Sequence, residues 1–110
     1  MSKIDLSGKI ERLEAFEEKH KVHIENASAW FDDSNGWVSV LFELHSETGT
    51  TLSKDLKVII AVYNPEGQIV ETIETLHQVE KFWGFGLCNR SVGEIPLKDV
   101  AKIRIYPIAW

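Results

Sequence analysis

Trp37-Val38-Ser39-Val40-Leu41-Phe42-Glu43-Leu44-His45 is the stretch that decides the fold. Strand side chains alternate between two faces, and here Val38, Val40, Phe42 and Leu44 fall on one while Ser39, Glu43 and His45 fall on the other. That period of two specifies a half-buried β-strand. Asn35-Gly36, just before it, supplies two residues that tolerate positive φ, as a tight hairpin turn requires. Upstream of the turn Val22 and Ile24 alternate with His23 and Glu25, and Ala27, Ala29, Trp30 and Phe31 continue the partner strand. Pairing about a two-residue Asn35-Gly36 turn sets His45 opposite Asn26, with His23 near the open end of the hairpin.

Downstream, Ser46 to Asp55 is rich in Thr, Ser and Gly and reads as a loop crossing between sheets or along an edge. Leu56, Val58, Ile60 and Val62 interleave with Ile59, Ala61 and Tyr63, so both faces are apolar and the strand is central. Asn64-Pro65-Glu66-Gly67 fits a type I turn with Gly at a bulge. Further strands are expected over Gln68 to Leu76, Phe82 to Cys88 and Lys102 to Ile108, the last with Ile103 and Ile105 inward. Asn89 to Asp99, holding Gly93 and Pro96, reads as the loop between the final two. At the N-terminus Leu6, Ile10, Leu13 and Phe16 recur at near-helical spacing, which predicts a short amphipathic helix docked on a sheet. A strand through Ile10 to Phe16 is the alternative.

About six to seven short strands joined by hairpins and longer crossings predict an all-β fold, an antiparallel immunoglobulin-like β-sandwich with a short N-terminal helix. An open sheet with the helix on one face is the runner-up. At 110 residues the chain is expected to form a single domain, residues 1–20 being an N-terminal arm and 21–110 the sandwich. The composition, 44% hydrophobic and 26% charged, is that of an ordinary globular chain. A net charge of −5 without a basic cluster argues against nucleic acid and anionic membrane surfaces as partners. The N-terminal residues lack an apolar leader, no apolar run reaches the ~20 residues of a membrane span, and Cys88 is a lone cysteine. These features predict a cytoplasmic protein.

The run Ile60-Ala61-Val62-Tyr63-Asn64, with Gly67 and Ile69-Val70 after it, resembles the hairpin of the bacterial FxLYD-type domains. Tyr63 is the identity, and Ile60, Val62 and Asn64 stand where that family has Phe, Leu and Asp. The similarity runs loosely from Val38 to about Phe85. It implies an immunoglobulin-like sandwich, no catalytic residues and an extracytoplasmic setting, the last at odds with the leaderless start.

Candidate chemistry is sparse. Aligning Gly36 with the glycine of a calcium loop puts Phe31 and Phe42 at ligand positions, so Asp33-Ser34-Asn35-Gly36 reads as a turn. His20, His23, His45 and His77 show no metal-binding spacing, and the expected register keeps His23 and His45 apart, so no metal or other cofactor is predicted. Cys88 closes an apolar stretch and reads as a buried, unreactive thiol, with His77 as its conceivable base. Glu71 and Glu74 fall on opposite strand faces and make no acid/base pair. Gly84 and Gly86 lack the context of a phosphate loop. Phe82-Trp83-Gly84-Phe85-Gly86 is the conspicuous run: rings in a small sandwich mostly fill the core, while Trp83, Phe85 and possibly Trp37 are the candidates for a ligand-binding face. The function expected first is a non-catalytic protein-interaction or accessory module, reaching a protein partner or a second copy through an edge strand. A small-ligand or carbohydrate-binding domain using the aromatic face comes second, and an enzyme third.

Overall fold

A computed structural model of the chain describes residues 3–49 and 51–110. Met1, Ser2 and Thr50, parts of the expected arm and crossing loop, lie outside the described residues. The strands are β1 (Lys3–Asp5), β2 (Ile10–Arg12), β3 (Val22–Asp32), β4 (Trp37–Ser46), β5 (Leu56–Tyr63), β6 (Ile69–His77), β7 (Phe85–Val92) and β8 (Lys102–Ala109). The helix α1 spans Glu14–His20, and single 3-10 turns lie at Ser7–Lys9, Val79–Lys81 and Leu97–Asp99. One sheet has the order β1-β3-β4-β7 and the other β2-β8-β5-β6. All neighbours are antiparallel except β2 and β8. The fold is therefore all-β, with two four-stranded sheets and one short helix.

The period-two stretches dominate the core. Val38, Val40, Phe42 and Leu44 of β4 are fully buried, as are Leu56, Val58 and Ile60 of β5 and Ile103 and Ile105 of β8. The inward faces of both sheets belong to one hydrophobic cluster. β5 sits between β6 and β8, the central place its two apolar faces predict. The Asn64–Gly67 turn closes with Gly67 N–H donating to the Asn64 carbonyl at 3.0 Å and Gly67 at φ 82°. A bulge follows between the β5 and β6 registers, as the glycine foretells.

The N-terminal residues depart from the expected single helix. Leu6 inserts into the core and β1 joins one sheet, while Ile10–Arg12 pairs in parallel with Ile103–Ile105 in the other. The unpaired side of β8 offers backbone partners there, which outweighs the helical spacing of four apolar residues. Helix begins only at Glu14, carries Glu14 and Glu17 early and Lys19 and His20 late, and ends at Lys21 in the left-handed conformation, φ 56°. Phe16 then rests against Tyr106 with ring centroids 5.3 Å apart. Between the turns of this arm, β3 is covered where β1 stops. Ile24 N–H donates to Glu17 Oε1 at 3.2 Å, and Arg12 Nη1 donates to the Ile24 carbonyl. Side chains thus satisfy backbone groups that a neighbouring strand would otherwise take.

The expected strand from Phe82 starts late, at Phe85, and runs on to Val92 into the stretch read as loop. Gly84, at φ 92°, turns the chain out of extended conformation just before it. Phe82 is buried instead, and Gly86 lies so close under its ring that a Cβ there would stand 3.2 Å from Phe82 Cε2.

Val40→Asp or Ile60→Asp places an unpaired charge in a site with no solvent exposure, a penalty of several kcal/mol against a total stability of about 5–15 kcal/mol. Either variant is expected to lose its cooperative thermal transition in circular dichroism, whereas Thr72→Asp on the exposed side of β6 keeps the parent Tm within a few degrees.

Candidate functional site

The outward side chains of β3, β4 and β7 form rows across one face. His23, His45 and Phe85 stand in the first row, Glu25, Glu43 and Leu87 in the second, and Ser28, Leu41 and Asn89 in the third. Two departures from the expected register create this arrangement. The hairpin loop has four residues, closed by the Asp32–Trp37 pair, because Asp32 accepts at Oδ1 from Ser34 N–H and Ser34 Oγ, and Gly36 N–H donates to the Asp32 carbonyl. Every β3 partner therefore moves by two positions. A bulge between Glu25 and Ser28, with Asn26 at φ 52°, moves the register by one more. His45 accordingly faces His23 and not Asn26, and the expected separation of the two histidines is corrected.

Their contacts are close. The imidazoles stack at 5.4 Å between centroids with 7° between planes. His23 Nε2 lies 2.7 Å from Glu25 Oε2, and His45 Nε2 lies 2.9 Å from Glu43 Oε1 and 3.8 Å from Glu25 Oε2. Asn26 Nδ2 donates to Glu43 Oε1 at 3.1 Å, so the bulge residue is fastened to the same carboxylate. Hydrogen bonds from His45 and Asn26 hold the Glu43 carboxyl below its ordinary pKa. Phe85 packs on the other side of His45, with centroids 4.9 Å apart.

Beyond Phe85 the face turns apolar and wet at once. Trp83 is 84% exposed, Phe85 51% and Leu87 65%. The expectation that these rings fill the core holds only for Phe82. Trp83 also lines a cleft of about 630 Å³ with Val79, Glu80 and Phe82. Trp37 does not join them: it opens β4, whereas Phe85 pairs with His45 near the other end, about 26 Å away at ~3.3 Å per residue. Its indole lies over Gly93, where an added Cβ would approach to 2.6 Å.

The two sheets present different edges on this side. β7 ends the first sheet and β6 the second. Arg90 Nη1, reaching from β7, donates to the Glu74 carbonyl of β6 at 2.7 Å, occupying an acceptor on that edge. No residue of a further strand pairs with β7 beyond β4 among the described residues.

Inside, Cys88 meets the histidine named as its conceivable base. Its Sγ lies 3.7 Å from His77 Nε2, which is 2.8 Å from Thr75 Oγ1. Burial raises the thiol pKa to about 11, so Cys88 stays protonated at neutral pH. His77 is shifted the other way, down, because desolvation disfavours its cation. His20 is buried with Nδ1 lacking a hydrogen-bond partner, and its pKa too is lowered, by burial first and by Lys54 and Lys19 second.

Among the described residues no helix is long and apolar enough to cross a membrane. No protein-family model, curated protein or solved structure matches the chain.

Two outcomes follow. Ellman's reagent should label native Cys88 slowly and label it rapidly in denaturant; fast native labelling contradicts a buried neutral thiol. Because the native pKa values of His20 and His77 lie below the unfolded value of about 6.5, the unfolded chain binds more protons. Stability is then full above about pH 6.5 and is lost as pH falls through the depressed native values. The Tm should fall between pH 7 and pH 5, and fall less in His77→Gln.

Proposed function

We propose that the chain is a non-catalytic protein-interaction module of immunoglobulin-like sandwich fold, which takes an extended segment of a protein partner along β7. The observation that carries this reading is the coincidence of a sheet edge with solvent-exposed Phe85 and Leu87 on the same strand. An edge strand offers backbone donors and acceptors, and alternate side chains supply specificity. The other edge on this side, β6, has one of its carbonyls occupied by Arg90, which favours β7 as the docking strand. The sandwich assignment is supported by strand order. Sheet orders β3-β4-β7 and β8-β5-β6 match the A-B-E and F-C-C′ orders of immunoglobulin domains. β2, parallel to β8, takes the place of the last strand.

A second reading has its own support: the cleft at Trp83, of about 630 Å³, suits a small apolar or sugar-like ligand stacked on the indole. The two readings separate by mutation. Selection of random dodecapeptides on the immobilised domain should yield sequences with alternating apolar residues, whose binding is lost in Leu87→Lys and Phe85→Lys while Tm and circular dichroism stay unchanged. Peptides that bind those variants as well as the parent, or a selection that yields none, overturn the β7 reading. Trp83→Ala should cost less than about 1 kcal/mol of stability, since so exposed a ring has little packing to lose. If that variant alone abolishes binding of small glycans, the cleft reading takes precedence.

A further inference from the structure

We propose that His23, Glu25 and His45 form a binding site for a divalent transition-metal ion, with Zn²⁺ as the redox-inert case. Each offers one donor atom, and the three donors lie within 4.8 Å of one another; both His23 Nε2 and His45 Nε2 approach Glu25 Oε2. Zinc bonds of about 2.0–2.1 Å at tetrahedral angles require donors about 3.3 Å apart. The measured His23–Glu25 and His45–Glu25 separations, 2.7 and 3.8 Å, straddle that spacing. Side-chain rotation alone closes the difference, because the backbone places the residues already: His23 and Glu25 are two apart on one strand, and His45 is the cross-strand partner of His23.

The donor set decides the class of ion. Two imidazoles and one carboxylate suit Zn²⁺, Cu²⁺ or Ni²⁺ and do not suit the all-oxygen preference of Ca²⁺ or Mg²⁺. The side chains of His23, Glu25 and His45 are 45, 44 and 28% exposed, so ions enter from solvent and water completes the coordination. Binding requires His45 to carry its proton on Nδ1, freeing Nε2 from Glu43. The surroundings favour a cation. On the sheet the histidines face Glu25 and Glu43, and β7 contributes uncharged Phe85. On its other side His23 lines a cleft with Glu14, Glu17, Glu18 and Glu47, against the single cation Arg12. The site does not depend on the β7 docking reading.

Isothermal titration of untagged protein with ZnCl₂ at pH 7.5 should show one zinc per chain. His23→Ala, His45→Ala and Glu25→Gln should each weaken it at least tenfold, Glu43→Gln should retain it, and Ca²⁺ should give no heat. Nitrogen-15 spectra of the imidazoles should assign the bound nitrogen to Nε2 in both rings. Apo circular dichroism checks each variant's fold, and His45→Asn, which keeps a donor toward Glu43, replaces any variant that unfolds. Zinc binding that survives the three substitutions, one zinc per two chains with zinc-dependent dimerisation in sedimentation, or no binding at neutral pH overturns the proposal.

Discussion

A β-strand offers its side chains two faces and no third, and β3 has to meet that constraint twice with opposite parity. Val22 and Ile24, at even positions, are buried, and so are Ala29 and Phe31, at odd ones. A regular strand would turn one of these pairs to water. The bulge at Asn26 resolves the conflict by spending one residue in the left-handed conformation, which asparagine tolerates better than most side chains. The consequences spread outward. The inner half of β3 stays over the core, the segment from Val22 to Glu25 closes against α1 through Glu17 and Arg12, and the outward set changes from odd to even. His23 and Glu25 reach the outer face beside His45 by the same shift.

Much of the fold was legible because the apolar alternation in β4, β5 and β8 is unbroken and agrees with their central or inward places. The Asn64–Gly67 turn and its bulge were legible for a local reason, the chemistry of Asn, Pro and Gly in sequence. The arm was not, since four apolar residues at helical spacing carry less free energy than the backbone pairing that β8 offers Ile10–Arg12. β7 was misplaced by three residues because Gly84 breaks the strand pattern without leaving the run of aromatic residues. Trp83 and Phe85 were named as candidates, but spacing alone could not tell a ring over the core from one over water. The histidine pair was missed through the assumption of a two-residue turn and of a β3 without a bulge. The signal was present: Val22/Ile24 and Ala29/Phe31 disagree in parity, which demands an extra residue between them.

The sheet edges are managed unequally. β3 is closed by side chains from the arm, β6 receives an arginine from its neighbour, and β8 is covered by β2. β7 stands apart from this pattern, with one charged residue, Arg90, and that side chain reaches over to Glu74. Edges left bare and apolar tend to aggregate unless something uses them. The asymmetry is what the proposed docking on β7 rests on, and it lies beside Trp83, which is 84% exposed.

All four tryptophans lie outside the core cluster, whose aromatic members are Phe31, Phe42 and Phe82. Trp37, Trp83 and Trp110 are exposed and Trp30 is half-buried beneath Lys3. Indole emission from this protein consequently comes from outside its core cluster, with Trp83 already close to a solvated ring. Unfolding changes the Trp83 share of that light little, while anything that covers Trp83 changes it directly, and loss of the fold is reported by Trp37 leaving the bare backbone of Gly93. The chain thus carries one optical reporter of contact, Trp83, and another of folding, Trp37, and none inside its core cluster.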